Sequence, residues 1–185
     1  MLGLKRGCVA LLHHDPEWKR EGERTVAELR EILGNIAIDV RHVGSTSIPT
    51  IPAKPIIDIA LAVRDLGDIA PLIEPLKAKG YHLRPDQNTK DQLLLAKGSL
   101  YDGRGDLQTH FVHVVCHNSR EWQDYLSFRS YLIDHPDTAA DYAALKRALA
   151  AEHPADRAGY TAAKQDFIAR TLAAARELYD RRNNN

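Results

Sequence analysis

The chain has 185 residues, and its 25 Lys plus Arg balance 25 Asp plus Glu. That balance gives no global field to draw in nucleic acid, which is therefore not an expected partner. Hydrophobic residues at 44% and charged ones at 27% are proportions of a globular domain. No run approaches the ~20 apolar residues of a membrane span, and the first residues hold no apolar stretch long enough for export, so a cytoplasmic protein without membrane contact is expected. Cys8 and Cys116 lie far apart, without metal-ligand spacing.

In chain order, Cys8–Leu12 reads as a short strand. Asp15 then caps a helix with Pro16 in its first turn, and Trp18, Val26, Leu29, Ile32 and Leu33 recur at helical spacing until Gly34 ends it. Residues 36–43 alternate, with Ile36, Ile38 and Val40 against Ala37, Asp39 and Arg41, as a strand does. Ile56–Val63 is an apolar run that reads as a buried strand. Asp65–Lys79 has helical spacing, although Pro71 and Pro75 make a break expected. Tyr81–Leu83 and Gln92–Lys97 read as strands, Ser99–Leu107 as a turn-rich connector, and Thr109–Cys116 as a further strand. On that last strand His113 shares a face with Thr109 and Phe111 while His110 takes the other, so the two histidines do not chelate one metal. From Ser119 onward the pattern is helical. One helix ends before Pro136, a second starts at Asp137 or Thr138 with Tyr142, Leu145 and Leu149 inward, and a third covers Tyr160–Tyr179. Arg181, Arg182 and the three terminal asparagines read as a tail. The fold class is α/β (α+β), a mixed sheet flanked by helices with a helical C-terminal third. One domain is expected over residues 1–185, its sheet-containing core in 1–118 and its helical part in 119–182.

The chemistry concentrates between residues 42 and 60. Gly44 lets backbone approach a ligand closely, since it carries no Cβ. Ser45, Thr46 and Ser47 add hydroxyls and backbone N–H groups suited to phosphate, and Lys54 adds a point charge. Asp58 interrupts the apolar run, and a carboxylate there is costly unless it is paired or holds a metal. Both options stand, pairing by backbone N–H groups or Lys54 on one side and metal on the other.

Gly44-Ser45, followed after twelve residues by Asp58-Ile59, resembles the nucleotidyltransferase superfamily signature. More narrowly, His42-Val-Gly-Ser-Thr-Ser-Ile-Pro49 and Ala53-Lys-Pro-Ile-Ile-Asp-Ile59 resemble the GrpB-like family, a group of predicted nucleotidyltransferases. Asp15-Pro-Glu-Trp18, Thr109-His-Phe-Val-His-Val114 and the stretch from Glu121-Trp122 to Phe167-Ile168 match the same family, so the resemblance spans nearly the whole chain.

The resemblance implies a nucleotidyltransferase-like sheet in which the Gly44-Ser45 loop holds a triphosphate. It also implies two carboxylates one residue apart on the next strand, and a third on a neighbouring strand, holding Mg²⁺. Here Asp58 is kept, Ala60 stands where the second carboxylate belongs, and His113 is the residue expected at the third position. Asp58 and His113 suit Mg²⁺ poorly and Mn²⁺ or Zn²⁺ better, or hold no metal.

Two functions follow. One is an enzyme performing metal-assisted nucleotidyl transfer to an acceptor the pattern does not specify, with Lys54, Asp58 and His113 catalytic. The other is a degenerate module binding a nucleotide or phosphorylated small molecule without catalysis. Asp39, Asp86 and Asp91 are the carboxylates whose approach to Asp58 separates the two. His42, Arg129, Tyr160 and Lys164 are candidate cleft residues. Their alternatives are a structural cap for His42, an ion pair for Arg129 and sheet packing for Tyr160 and Lys164. Arg41 is expected to pair with Asp39 or Asp58.

Overall fold

The computed structural model describes residues 1–183, with side chains described through residue 178. A short strand β1 (Leu4–Lys5) is followed by α1 (Pro16–Leu33), where the Asp15 side chain accepts from the Glu17 backbone and Gly34 closes the C-terminus. Then come β2 (Asp39–Val43), β3 (Ile57–Val63), α2 (Ile73–Ala78), β4 (His82–Leu83), β5 (Gln92–Lys97), β6 (Leu107–Gln108) and β7 (His110–Cys116). Four helices complete the chain: α3 (Arg120–Asp134), α4 (Pro136–Glu152), α5 (Arg157–Ala162) and α6 (Gln165–Asn183).

Five strands form a mixed sheet in the order β2-β3-β7-β5-β4, in which only β3 and β7 run parallel. β1 and β6 form a separate antiparallel pair. Alternation divides the sheet's side chains between two layers. Ile57, Ile59, Leu61, Val63, Val112, Val114 and Leu95 face α1 and pack against Trp18, Leu29 and Leu33. On the other side Val43, Ala60, Ala62 and Val115 pack under Trp122 of α3. The two alanines admit that indole, because a larger residue at either would hold the helix away. A third cluster joins the loop residues Ile48 and Ile51 to Leu132, Ala139, Tyr142 and Ala143, so the helices dock on the segment between β2 and β3. No helix among the described residues is long and apolar enough to cross a membrane.

Several boundaries differ from expectation. Cys8–Leu12 is not a strand. Val9 packs with Leu149 and Tyr160 and donates to the Pro154 carbonyl at 2.9 Å, while Leu12 makes an isolated bridge to Ala53. This stretch is thus committed to the C-terminal helices rather than to a sheet. β2 begins at Asp39, since Gly34–Ile36 forms a 3-10 turn. The 65–79 segment breaks as its prolines require, into a 3-10 turn over Leu66–Leu72 and then α2. α4 starts at Pro136 itself, where the missing N–H and fixed φ suit a first helical position. The single helix expected over Tyr160–Tyr179 is two, joined at Ala163–Lys164. Backbone helix continues through Asn183, which places Arg181 and Arg182 on α6 rather than in a tail; Asn184 and Asn185 lie outside the described residues.

His42 shows how tightly α1 lies on the sheet. Its Nε2 meets Thr46 Oγ1 at 3.0 Å, and a Cβ at Gly22 of α1 would overlap its ring. Gly22→Ala should therefore be destabilising, even though Ala favours a helix interior by about 1 kcal/mol. Overpacking against a ring held in place costs about 1–3 kcal/mol, which outweighs the helical gain. A lower urea midpoint at unchanged slope is expected. A midpoint at or above wild type would show that the ring moves aside freely.

Candidate functional site

The site is built where β2 hands over to β3. Val43 ends β2 opposite Asp58 of β3. The chain turns at Gly44, whose φ of 66° lies in the left-handed region, and enters a 3-10 turn over Ser45–Ser47. A Cβ on Gly44 would lie 2.6 Å from Asp58 Oδ2. Both the φ and this approach require glycine. The turn thus lies close against the carboxylate, with no room for a side chain between them.

β7 lies beside β3 in register Asp58↔Phe111 and Ala60↔His113. His113 therefore emerges on Asp58's face, and its Nε2 is 3.5 Å from Asp58 Oδ1. Its Nδ1 is buried with no hydrogen-bond partner, and its ring lies 4.9 Å from that of Tyr125. His110 faces the opposite layer and contacts Glu21 at 3.2 Å.

These residues open into a cavity of about 1140 Å³ between the sheet and the C-terminal helices. Gly44, Ser45, Thr46, Lys54, Asp58, His113, Tyr160 and Lys164 line it. Three of the expected residues do not. Ser47 turns its hydroxyl back to the Gly44 carbonyl at 2.7 Å and accepts from Arg129 Nε at 3.1 Å. Arg129 is therefore a brace for the turn, and burial followed by the Arg41 charge lowers its pKa. His42 lies on the α1 side of the sheet, where burial lowers its pKa to about 4, and it supports Thr46 from behind. Thr46 is itself almost fully buried, its hydroxyl directed at the Ile56 carbonyl.

Tyr160 and Lys164 do share the cavity, but not as two points on one helix face. Lys164 sits at the junction of α5 and α6, and its amine lies 4.4 Å from the Tyr160 ring centre, with the Lys54 amine 5.3 Å from the same ring. Sequence reading missed Lys146. It is buried at 1% exposure on the inward stripe of α4 with Ala139, Tyr142, Ala143 and Leu149. Its amine donates to Ser45 Oγ at 2.9 Å and to the Pro52 carbonyl. A lysine four residues after Tyr142 on an apolar stripe is a readable signal, of the same kind that singles out Arg129. Also missed were Phe111, Tyr125, Phe128, Ile168 and Leu172, which form an apolar wall.

The donor set does not fit Mg²⁺. Asp39, Asp86 and Asp91 do not line the cavity with Asp58; Asp39 is held instead by Arg30 and Arg41, and Asp86 by Arg84. Among the described residues no three His, Cys, Asp or Glu side chains form a metal-binding group. One carboxylate and one imidazole fall short of the oxygen shell Mg²⁺ requires. The expectation of a metal on Asp58 and His113 is not supported by their surroundings.

The fold is nucleotidyltransferase-like. Cid1, whose structure is described in connection with its RNA terminal uridylyl transferase activity, aligns at a TM-score of 0.50 and 16% identity over 76% of this chain and 43% of that one, a likeness of fold alone. The chain belongs to the GrpB family, whose model, described as GrpB protein, matches residues 8–174. It is 36% identical over 169 residues to the glutamate-rich protein GrpB of Alkalihalophilus pseudofirmus, covering 91% of this chain and 96% of that protein. The crystal structure of the conserved protein GrpB from Enterococcus faecalis aligns at a TM-score of 0.82 and 30% identity, over 92% of this chain and 99% of that one.

The cavity lysines set a pH dependence. Burial, then the Lys164 charge, brings Lys54 from 10.5 to about 8. Burial, then Lys164 and Lys54, brings Lys146 to about 7, and burial brings Lys164 to about 8. Unfolded lysines stay protonated up to 10.5, so above about pH 7 the unfolded chain binds more protons than the folded one. Stability should rise with pH between about 7 and 10. Lys146→Met should flatten that rise, read as thermal midpoint against pH. A wild-type midpoint that falls across this window would contradict the burial of the three amines.

Proposed function

We propose that the cavity binds a nucleotide or other phosphorylated small molecule, with its phosphates on the Gly44–Ser45 turn. The observation that carries this is the convergence on one cavity of that turn, a positive-φ glycine close against Asp58, and the Lys54 and Lys146 amines. Backbone N–H groups at such a turn and amines around it are what a phosphate requires. In this reading Gly44, Ser45 and Thr46 form the cradle, Lys54 supplies charge, and Ser47 with Arg129 holds the turn in shape. The aromatic and aliphatic wall takes the unphosphorylated part of the ligand. At about 1140 Å³ the cavity exceeds the ~300–1,000 Å³ typical for one small ligand, which leaves space for an acceptor.

The fold favours nucleotidyl transfer as the reaction. An acceptor hydroxyl oxygen would attack the α-phosphorus, pyrophosphate would leave, and the hydroxyl proton would pass to the Asp58–His113 pair. The lysines would stabilise charge on the departing phosphates. Ala60 supports the second reading, a binding module that keeps the cradle and lacks the chemistry. Pyrophosphate release from nucleoside triphosphates, abolished in His113→Asn and Asp58→Asn without loss of ligand binding, distinguishes the first from the second.

Titration calorimetry tests the binding itself. Nucleoside triphosphates and smaller phosphorylated compounds should bind wild type, and Lys54→Ala should weaken them about tenfold or more. Gly44→Ala should abolish binding, since its Cβ would enter the space of the Asp58 carboxylate. Failure of every phosphorylated compound to bind would leave only shared fold ancestry.

A further inference from the structure

The charges around the cavity run opposite to those of a cation-assisted phosphate site. Lys54 comes from the loop before β3, Lys146 from α4 and Lys164 from the α5–α6 junction, and all three line one space. They are near enough that the Lys164 charge acts on both other amines. Tyr160 lies beneath two of them, while Ser45 and Pro52 fix the third. Arg157 lines the same cavity. Asp58 is the carboxylate facing these amines, and its charge acts on all three. The cavity's other acids come from α3, Glu121 and Asp124, and from Asp156 just before α5; Asp124 is already paired with Arg176 at 2.6 Å.

The position that would supply a second carboxylate is also closed. Ala60 is fully buried in the cluster with Val43, Ala62, Val115 and Trp122, and it does not reach the cavity wall. An excess of fixed positive charge repels a divalent cation and attracts a polyanion by the same Coulomb term. Lysine amines are compact point charges able to neutralise phosphate oxygens directly.

We propose that this site takes its polyphosphate ligand as the free anion rather than as a metal complex, with Lys54, Lys146 and Lys164 supplying the neutralising charge. This rests on the reading that a phosphorylated ligand occupies the cavity, and it names the form in which that ligand arrives. Asp58 then acts not as a metal ligand but as the counter-charge that favours the protonated form of three neighbouring amines when no ligand is bound. The partly lowered lysine pKa values agree, since a bound polyanion would raise them again and draw in protons.

The test is calorimetric titration of wild type with inorganic tripolyphosphate and with ATP, once in EDTA and once in excess Mg²⁺ or Mn²⁺. Binding in EDTA is expected to equal or exceed that with metal, because the cation competes for the free anion. Lys146→Met and Lys164→Met should each weaken binding in EDTA about tenfold or more, and thermal unfolding verifies that they fold. Affinity tighter with metal than in EDTA would overturn the proposal while leaving the phosphorylated-ligand reading intact. Binding in neither condition removes both.

Discussion

The contact on which the site depends is the approach of a backbone turn to a carboxylate. Asp58 sits on β3 directly across from the last residue of β2, and the chain must reverse next to it without a side chain in the way. Gly44 meets both demands, a positive φ and the absence of a Cβ. The neighbouring side chains are arranged around that contact. His42 and Thr46 support the turn from the α1 side, and Ser47 with Arg129 supports it from the α3 side. Lys146 reaches it from α4. The turn is braced from three directions, so the fold itself holds its backbone N–H groups in place.

Parallel pairing of β3 with β7 sets what stands beside that turn. The register puts His113 across from Ala60 and next to Asp58. The same register puts Ala60 and Ala62 under Trp122, which makes this half of the sheet a floor for α3 rather than a ligand platform. Packing and chemistry divide a single strand between them. Its first turn-proximal residue faces the cavity, and the next two on that face are buried beneath a helix.

Much of this is readable from residue types. Asp15, Pro16 and Gly34 bracket α1 as capping chemistry requires, and Ser119 caps α3 through the Trp122 backbone. Strand alternation alone puts His110 and His113 on opposite layers. What the residue types do not disclose is long-range. Val9 reads as part of an apolar run, yet its neighbours Leu149 and Tyr160 lie far along the chain. Arg129 stands out as a charge on an apolar face, and tertiary structure decides that it pairs with Ser47 rather than facing the cavity. Lys146 carries the same sign and is as easily passed over, because periodicity reports that a position is inward without saying what meets it there. The break at Ala163–Lys164 has no proline or glycine to announce it, and it separates α5, which packs on α4, from α6, which packs on α3.

The arm at the start of the chain gives the cavity an unusual dependence. Val9 donates to the Pro154 carbonyl, the Arg157 backbone N–H donates to Gly7, and the Arg157 guanidinium donates to the carbonyls of Lys5 and Cys8. Arg6, Gly7, Arg157 and Tyr160 all contribute to the wall. The pocket is therefore walled on one side by a clasp between segments separated by about 150 residues. In a chain emerging from the ribosome the turn and Asp58 can meet early, but the enclosure around them cannot form until α5 has been made. Completion of that wall thus reports that the two distant segments have found each other, which makes the pocket a late marker of folding.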